Sequence, residues 1–409
     1  VKELVILGAG TAGTMMAHKL AKVLSPAQWH ITIVDRDDDH IYQPGLLFVP
    51  FGMYDPDDLV RPRTRLVPPS SRLCLDGIAK VDPDAKTVTT GTGEILHYDL
   101  LLVATGTRTA PEDTEGLTGS GWYDTAFDFY SMAGAKALHD KLIWWKGGTL
   151  IVNVVDMPIK CPVAPLEFLF LADAFFTERG MRDDVRIVYV TPLDAAFTKP
   201  RASAMLGQIL EERGIEVVTE FNTARVHGSS RKLEGFDGRE VDYDLLVSIP
   251  LHAGAKVIAD SKLGNDLGFV PTDKHTLQSR DYPDVFAIGD AADLPTSKAG
   301  SVAHFQAEVL IENILRYMRG EPLRPDFDGH ANCFIETGHD KALLIDFNYT
   351  TEPLPGKFPL PVVGPFDLLG ESHINHWGKL GFRWIYWNIL VRGEEMPLEH
   401  NMTMAGKRV

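Results

Sequence analysis

Lys2-Glu3-Leu4-Val5-Ile6-Leu7-Gly8-Ala9-Gly10-Thr11-Ala12-Gly13 is the stretch on which the fold turns. Residues 2–7 read as a short buried strand, and the glycines follow with no spacer before a helix expected over 14–24. Glycines at such a turn let the backbone approach a pyrophosphate held on the helix N-terminus, with Thr11 at the helix mouth. A second strand, expected over 30–34, ends in Asp35 and is followed by Arg36. A carboxylate there falls where a dinucleotide's ribose hydroxyl is bound. The reading is a dinucleotide-binding unit, and the alternative is an ordinary tight turn. Ala104-Thr105-Gly106 supports the first, because small residues at the end of a strand over 99–103 let the chain pass close to a nucleotide.

Composition narrows the function. The chain has 409 residues, 44% hydrophobic and 23% charged, as expected for a globular protein of two or three domains. A formal charge of −16 argues against a nucleic-acid binder. Three cysteines, Cys74, Cys161 and Cys333, are too few for a disulfide framework and too widely spaced for zinc, so no metal is expected. The opening residues lack a signal-peptide pattern, and no apolar run reaches the roughly 20 residues of a membrane span. Cys74, on an apolar strand over 72–78, reads as a small buried hydrophobe. The segment after Asp35, containing Tyr42-Gln43-Pro44, reads either as a surface excursion or as something more.

A helix-rich linker over 128–146 leads to a second αβ unit, with strands at 149–155, 185–191, 216–219 and 244–249. Here the turn before the helix expected over 166–176 reads Asn153-Val154-Val155-Asp156-Met157-Pro158-Ile159-Lys160-Cys161 and has no glycine. A phosphate cannot approach it. Cys161 stands at the head of the helix instead, where the helix dipole and Lys160 are expected to favour the thiolate. Glu167 lies within about two helical turns. His252 falls in a loop and receives no role.

Asp281 to Ala292 forms an apolar strand ending in Gly289-Asp290, before a long helix over 301–319. Together with Gly8, Gly10, Gly13, Asp35 and Ala104-Thr105-Gly106, it resembles the two-dinucleotide-fold flavoprotein reductases. The resemblance implies FAD in the first unit, non-covalently bound, with Gly289 and Asp290 at its phosphate and ribitol. Within that superfamily the chain is similar to the sulfide:quinone oxidoreductases. Cys161 precedes a Pro-x-Glu helix, and Cys333 follows the last flavin-binding helix, succeeded by Phe334 and by Gly338-His339-Asp340-Lys341. Gln43, Pro44, Lys298 and Gly300 match flavin-side segments. The resemblance implies a Cys161–Cys333 redox disulfide, opened by hydrosulfide to a persulfide and a thiolate that reduces the flavin. Lys298 and Lys341 would stabilise the reduced flavin, and quinone would be reduced on its other face. Glu167 would handle protons, unless it is merely a helix-terminal salt bridge. A third cysteine found in many members is missing here.

The implied fold is α/β, with two Rossmann-like three-layer domains and a C-terminal amphipathic membrane-anchoring helix. The expected divisions are 1–110 and 269–330 for FAD, 111–268 for the degenerate second unit, and 331–409 for Cys333 and quinone. Over 373–391, Trp377, Leu380, Trp384, Trp387 and Val391 fall on one helical face, and His376, Lys379 and Arg383 lie toward another. That pattern suits a membrane interface or a helix docked on protein, with Gly378 and Gly381 as weak points. The resemblance favours the membrane, implies a monotopic homo-oligomer, and puts Phe334, Lys379 and Phe382 near the quinone. Three other readings remain at this point: a type II NADH:quinone reductase, a flavocytochrome-type sulfide dehydrogenase, and a flavin-binding scaffold that docks a partner.

Overall fold

The computed structural model describes residues 1–360, 363–396 and 398–409. Its first sheet is built from strands too apolar to face water on either side. The order is Val285–Ala287, Leu100–Val103, Lys2–Leu7, Trp29–Val34, Arg72–Cys74, all parallel. Leu4 to Leu7 and Leu100 to Val103 are fully buried, as continuous Leu/Val/Ile runs in a doubly covered parallel sheet should be. Val285–Ala287, far along the chain, thus returns to the sheet that Lys2–Leu7 opens. The helix Thr11–Val23 begins three residues before its expected start. The expected meander is divided: Arg72–Cys74 edges the parallel sheet, while Ile78–Asp82, Thr87–Thr90 and Ile95–His97 form a separate antiparallel sheet. Cys74 is buried, with its thiol on Asp76.

The second unit repeats the plan in the order Ala126–Phe127, Leu245–Ile249, Gly148–Val154, Val185–Val190, Glu216–Val218. Its helix Ala164–Glu178 is buried on nearly every side. It packs on the sheet and against the strand Ala331–Gly338, which is why its sequence is apolar all round and not striped. That strand belongs to a third, four-stranded sheet with Lys341–Phe347, Phe366–Leu368 and Gly356–Phe358. The segment after Asp35 is no surface excursion. Asp39–Ile41 pairs with Val60–Pro62, and Tyr42 and Leu46 to Val49 enter the core.

The C-terminal helix His373–Ile385 corrects one expectation. Trp377 and Trp384 are 73% and 63% exposed, but Trp387 and Val391 are 2% and 0% exposed. The helix passes into a π-helical turn over Tyr386–Leu390. An extra residue per turn shifts the phase of the apolar stripe, so its last members roll from the outer face into the core. Gly378 is not a weak point either. A Cβ there would lie 2.6 Å from the Phe366 ring and 2.8 Å from that of Phe334, so the helix can sit this close only with glycine. Among the described residues, no helix is long and apolar enough to cross a membrane.

Candidate active site

The glycine turn is shaped for a ligand's phosphates. Gly8 has φ +99°, and a Cβ on Gly13 would fall 1.8 Å from the Gly8 carbonyl oxygen, while the space around Gly10 is open. Asp35 accepts hydrogen bonds from the amides of Ala9 (2.6 Å) and Arg36 (2.7 Å), and pairs with Arg63 at 3.3 Å. Oδ2 takes both the Ala9 amide and Arg63, so it is Oδ1 that keeps a lone pair for a further donor. The Arg36 side chain lies outside, paired with Asp37. Thr105 carries a buried hydroxyl with no partner among the described residues, and Gly106 and Gly289 have positive φ. Gln43 and Pro44 stand exposed at the start of a short 3-10 helix, and Gly300 opens the helix Gly300–Met318 with nothing crowding it. These features fit a dinucleotide cofactor.

The thiols come next. Cys161 has φ +49°, a region that costs a side-chain-bearing residue about 1–2 kcal/mol. It is held there by its own amide, which donates to the Lys298 carbonyl (2.7 Å), and by its carbonyl, which accepts from the Ala164 amide (2.9 Å) and the Tyr130 hydroxyl (3.3 Å). Burial and the neighbouring Glu167 push the Cys161 thiol up, against Lys379 and the Ala164 amide. Burial thus opposes the expected thiolate. The helix terminus does act on the sulfur, but burial outweighs it, and the leading cation is Lys379. Burial likewise pushes Cys333 up to about 12, with Lys379 opposing. Both thiols are free. Lys160 stands over the Tyr130 ring at 5.9 Å, and burial draws its ammonium down.

Glu167 is fully buried. Its Oε1 accepts from the Glu336 amide (2.8 Å) and from the Lys379 ammonium, which also donates to the Phe334 carbonyl (2.9 Å). Oε2 has no partner among the described residues. A salt bridge at the helix terminus is thus present, but as a buried ion pair whose field reaches both sulfurs. Burial alone would lower Lys379; Glu167 and the Cys161 sulfur hold it up. Phe334 packs edge-on to Phe366, and Phe382 leads to Tyr386.

On the flavin-expected side, burial raises Asp290 while Lys298 and Lys160 counter it. Lys298 donates to the Asp290 and Ala292 carbonyls at 2.8 and 3.0 Å. Lys341 is not brought to this group. It opens the strand Lys341–Phe347 at the hairpin turn, whereas Cys333 pairs with Ile345. Five residues of strand separate that turn from Cys333, about 17 Å.

Several residues escaped the sequence. Glu336 is a buried carboxylate inside the strand Ala331–Gly338, and an acid between Ile335 and Thr337 was the signal for it. Tyr386 donates or accepts at Thr11 Oγ1 and His40 Nε2, both 2.7 Å away, binding the C-terminal turn to the glycine loop. His252 is buried, its Nδ1 2.9 Å from the Pro250 carbonyl and its ring edge-on to Tyr130.

A phosphate-shaped turn in one Rossmann unit, with two thiols and an ion pair where the other unit would bind a nucleotide, defines a redox protein of the two-dinucleotide-fold class. The chain belongs to the pyridine nucleotide-disulphide oxidoreductase family, whose model matches residues 2–143 and 171–308. It is similar to the mitochondrial sulfide:quinone oxidoreductase of Mus musculus, at 27% identity over 96% of this chain and 86% of the relative. The mitochondrial sulfide:quinone oxidoreductase of Dictyostelium discoideum is 29% identical with the same coverage. Its fold resembles that of the sulfide:quinone oxidoreductase of Aquifex aeolicus, with TM-score 0.79, 19% identity, and 96% and 92% of the two chains covered.

Proposed function

We propose that the protein is an FAD-dependent sulfide:quinone oxidoreductase, oxidising sulfide to sulfane sulfur and delivering two electrons to a membrane quinone. The observation that carries this is the turn ending in Cys161. It lacks the glycines a nicotinamide cofactor needs, and it sets a strained cysteine beside Glu167 and Lys379, whose field also acts on Cys333. That argues against the NADH-dependent reading. The curated relatives carry the same activity in their names.

FAD, when bound, would accept two electrons from the thiol pair and pass them to quinone. Gly8, Gly10, Thr11, Gly13, Asp35, Ala104, Thr105, Gly106, Gly289, Asp290 and Gly300 would hold it non-covalently. Lys298 would stay beside Asp290, and Gln43 and Pro44 would border the pocket. In the oxidised state Cys161 and Cys333 are paired. Hydrosulfide attacks that S–S bond, leaving a persulfide on one cysteine and the electron pair on the other as thiolate. Lys379 stabilises the thiolate in a site whose burial otherwise opposes it. Glu167, bonded to Lys379 with one oxygen and free at the other, takes up and returns the proton. Phe334, Lys379 and Phe382 border the quinone.

Membrane docking is assigned to the exposed face bearing Ile374, Trp377 and Trp384. Indole rings favour the headgroup level, and Arg383 and Arg392 provide a basic rim. On this reading the chain is monotopic, and the family resemblance adds that it assembles as a homo-oligomer. Anaerobic stopped-flow absorbance tests the activity. Sulfide should bleach the flavin band and added quinone restore it, NADH should be inert, and Cys161→Ser should abolish the sulfide step. Bleaching by NADH and not by sulfide would sink the proposal.

A further inference from the structure

We infer that Asp340, His376 and Glu336 form a proton inlet from solvent to the buried site, an inference that rests on the sulfide:quinone oxidoreductase reading above. The stoichiometry calls for one. Oxidation of HS⁻ to sulfane sulfur releases two electrons and one proton, and reduction of a quinone to a quinol consumes two electrons and two protons. The sum, HS⁻ + Q + H⁺ → S⁰ + QH₂, takes one proton from the solution in every turnover. Glu167 and Glu336 are both fully buried, so that proton needs a route.

Among the described residues, a chain of groups reaches outward from Glu336. Asp340, at the hairpin turn, has an 82% exposed side chain, and its Oδ1 lies 3.7 Å from His376 Nε2. Across the ring, Nδ1 stands 2.9 and 3.0 Å from the two oxygens of Glu336. An imidazole accepts a proton at one nitrogen and releases it from the other, so this ring joins an exposed carboxylate to a buried one. The inlet ends at the Glu336 carboxylate, while the backbone amide of the same residue donates to Glu167, the partner of Lys379. The charged and titratable neighbours are few. Lys379 shares the C-terminal helix with His376, and Glu167 faces from the helix Ala164–Glu178. The Tyr54 phenol feels both Lys379 and Glu336, and His373 Nδ1 sits 2.7 Å from the Asp340 carbonyl. Burial raises the Glu336 carboxyl, and the bond to Glu336 raises the His376 imidazolium, so each group holds its proton to a higher pH than it would alone. A simple staple pinning the helix to the strand would need the hydrogen bond but not the titration.

The test follows the two half-reactions of the holoenzyme separately, by anaerobic rapid mixing from about pH 6 to about pH 9. His376→Gln keeps an amide donor for Glu336 but cannot relay. Reduction of the flavin by sulfide should change by no more than about twofold, while reoxidation by a short-chain quinone should fall about tenfold or more. In the wild type, reoxidation should decline as pH rises through the raised His376 pKa, because the imidazolium is lost; in His376→Gln this limb should vanish. Imidazole added to His376→Ala should restore the rate in proportion to its protonated fraction. Independently of turnover, NMR should show the His376 ring titrating above its ordinary 6.5 in the wild type and at a lower pH in Glu336→Gln. Wild-type reoxidation kinetics in His376→Gln, equal losses in both half-reactions with no imidazole rescue, or a ring that does not titrate would each overturn the inlet. A wild-type flavin that sulfide cannot bleach would instead overturn the functional reading beneath it.

Discussion

At Cys161 the backbone is strained at the residue to which the sulfur chemistry is assigned in our proposal. A cysteine at φ +49° carries backbone strain while its side chain packs on the core, so relieving the strain and removing the sulfur should have separable effects. Cys161→Gly is expected to stabilise the fold by about 1 kcal/mol relative to Cys161→Ser, read from denaturant midpoints, while both lose sulfide-driven flavin reduction. Equal midpoints would mean the strain is not borne by this residue. Lys379 and Glu167 offer a second contrast. Lys379→Met alone strands a buried carboxylate and should cost about 3–5 kcal/mol. Adding Glu167→Gln should recover much of that loss in a thermodynamic cycle; strict additivity would show that the two are not coupled. Cys161, Cys333 and Glu167 were legible in the sequence by spacing and resemblance. The reversal at the thiol was not, because burial is set by strands 170 residues away that no local pattern reveals.

The C-terminal element divides its labour at the π-helical turn. Before it, Trp377 and Trp384 face outward; after it, Trp387, Leu390 and Val391 fill the core. Trp377→Ala combined with Trp384→Ala should lower co-sedimentation with lipid vesicles several-fold and leave turnover with a water-soluble quinone intact. If vesicle binding is unchanged, the outward face docks something else. Gly378→Ala should be harmful where a helix interior normally welcomes alanine, costing about 1–3 kcal/mol through collision with Phe334 and Phe366. Truncation after residue 360 is a poor probe of anchoring, because it also removes core residues and the Tyr386 contact to Thr11. The helix and its aromatic stripe were legible in the helical periodicity, but a single inserted residue in the hydrogen-bond ladder leaves no trace in a 3.6-residue pattern.

For the whole molecule, charge and docking pull in opposite directions. The net charge is −16, yet Arg61, which lies over the buried Trp387 ring, is close enough to Arg383 and Arg392 that they help lower its guanidinium after burial, with Arg383 also 3.7 Å from Asp58. Local charge, not the total, governs a surface within a Debye length of about 8–10 Å. Vesicles containing anionic lipid should therefore bind the protein more tightly than neutral ones, and added salt should erase the difference. A preference for neutral vesicles would place the docking face elsewhere. The two Rossmann sheets were readable because apolar strands and glycine turns are local signals. The third sheet was not, since Phe366–Leu368 and Gly356–Phe358 are three residues each and become strands only by lying against their neighbours.

Tyr386 meets Thr11 across 375 residues of sequence. During synthesis the glycine loop leaves the ribosome 375 residues ahead of its latch, an interval of roughly 20–75 s at ordinary elongation rates. For nearly all of that time the nascent chain presents an open loop, and a cofactor captured then would be closed in when translation reaches the C-terminal turn.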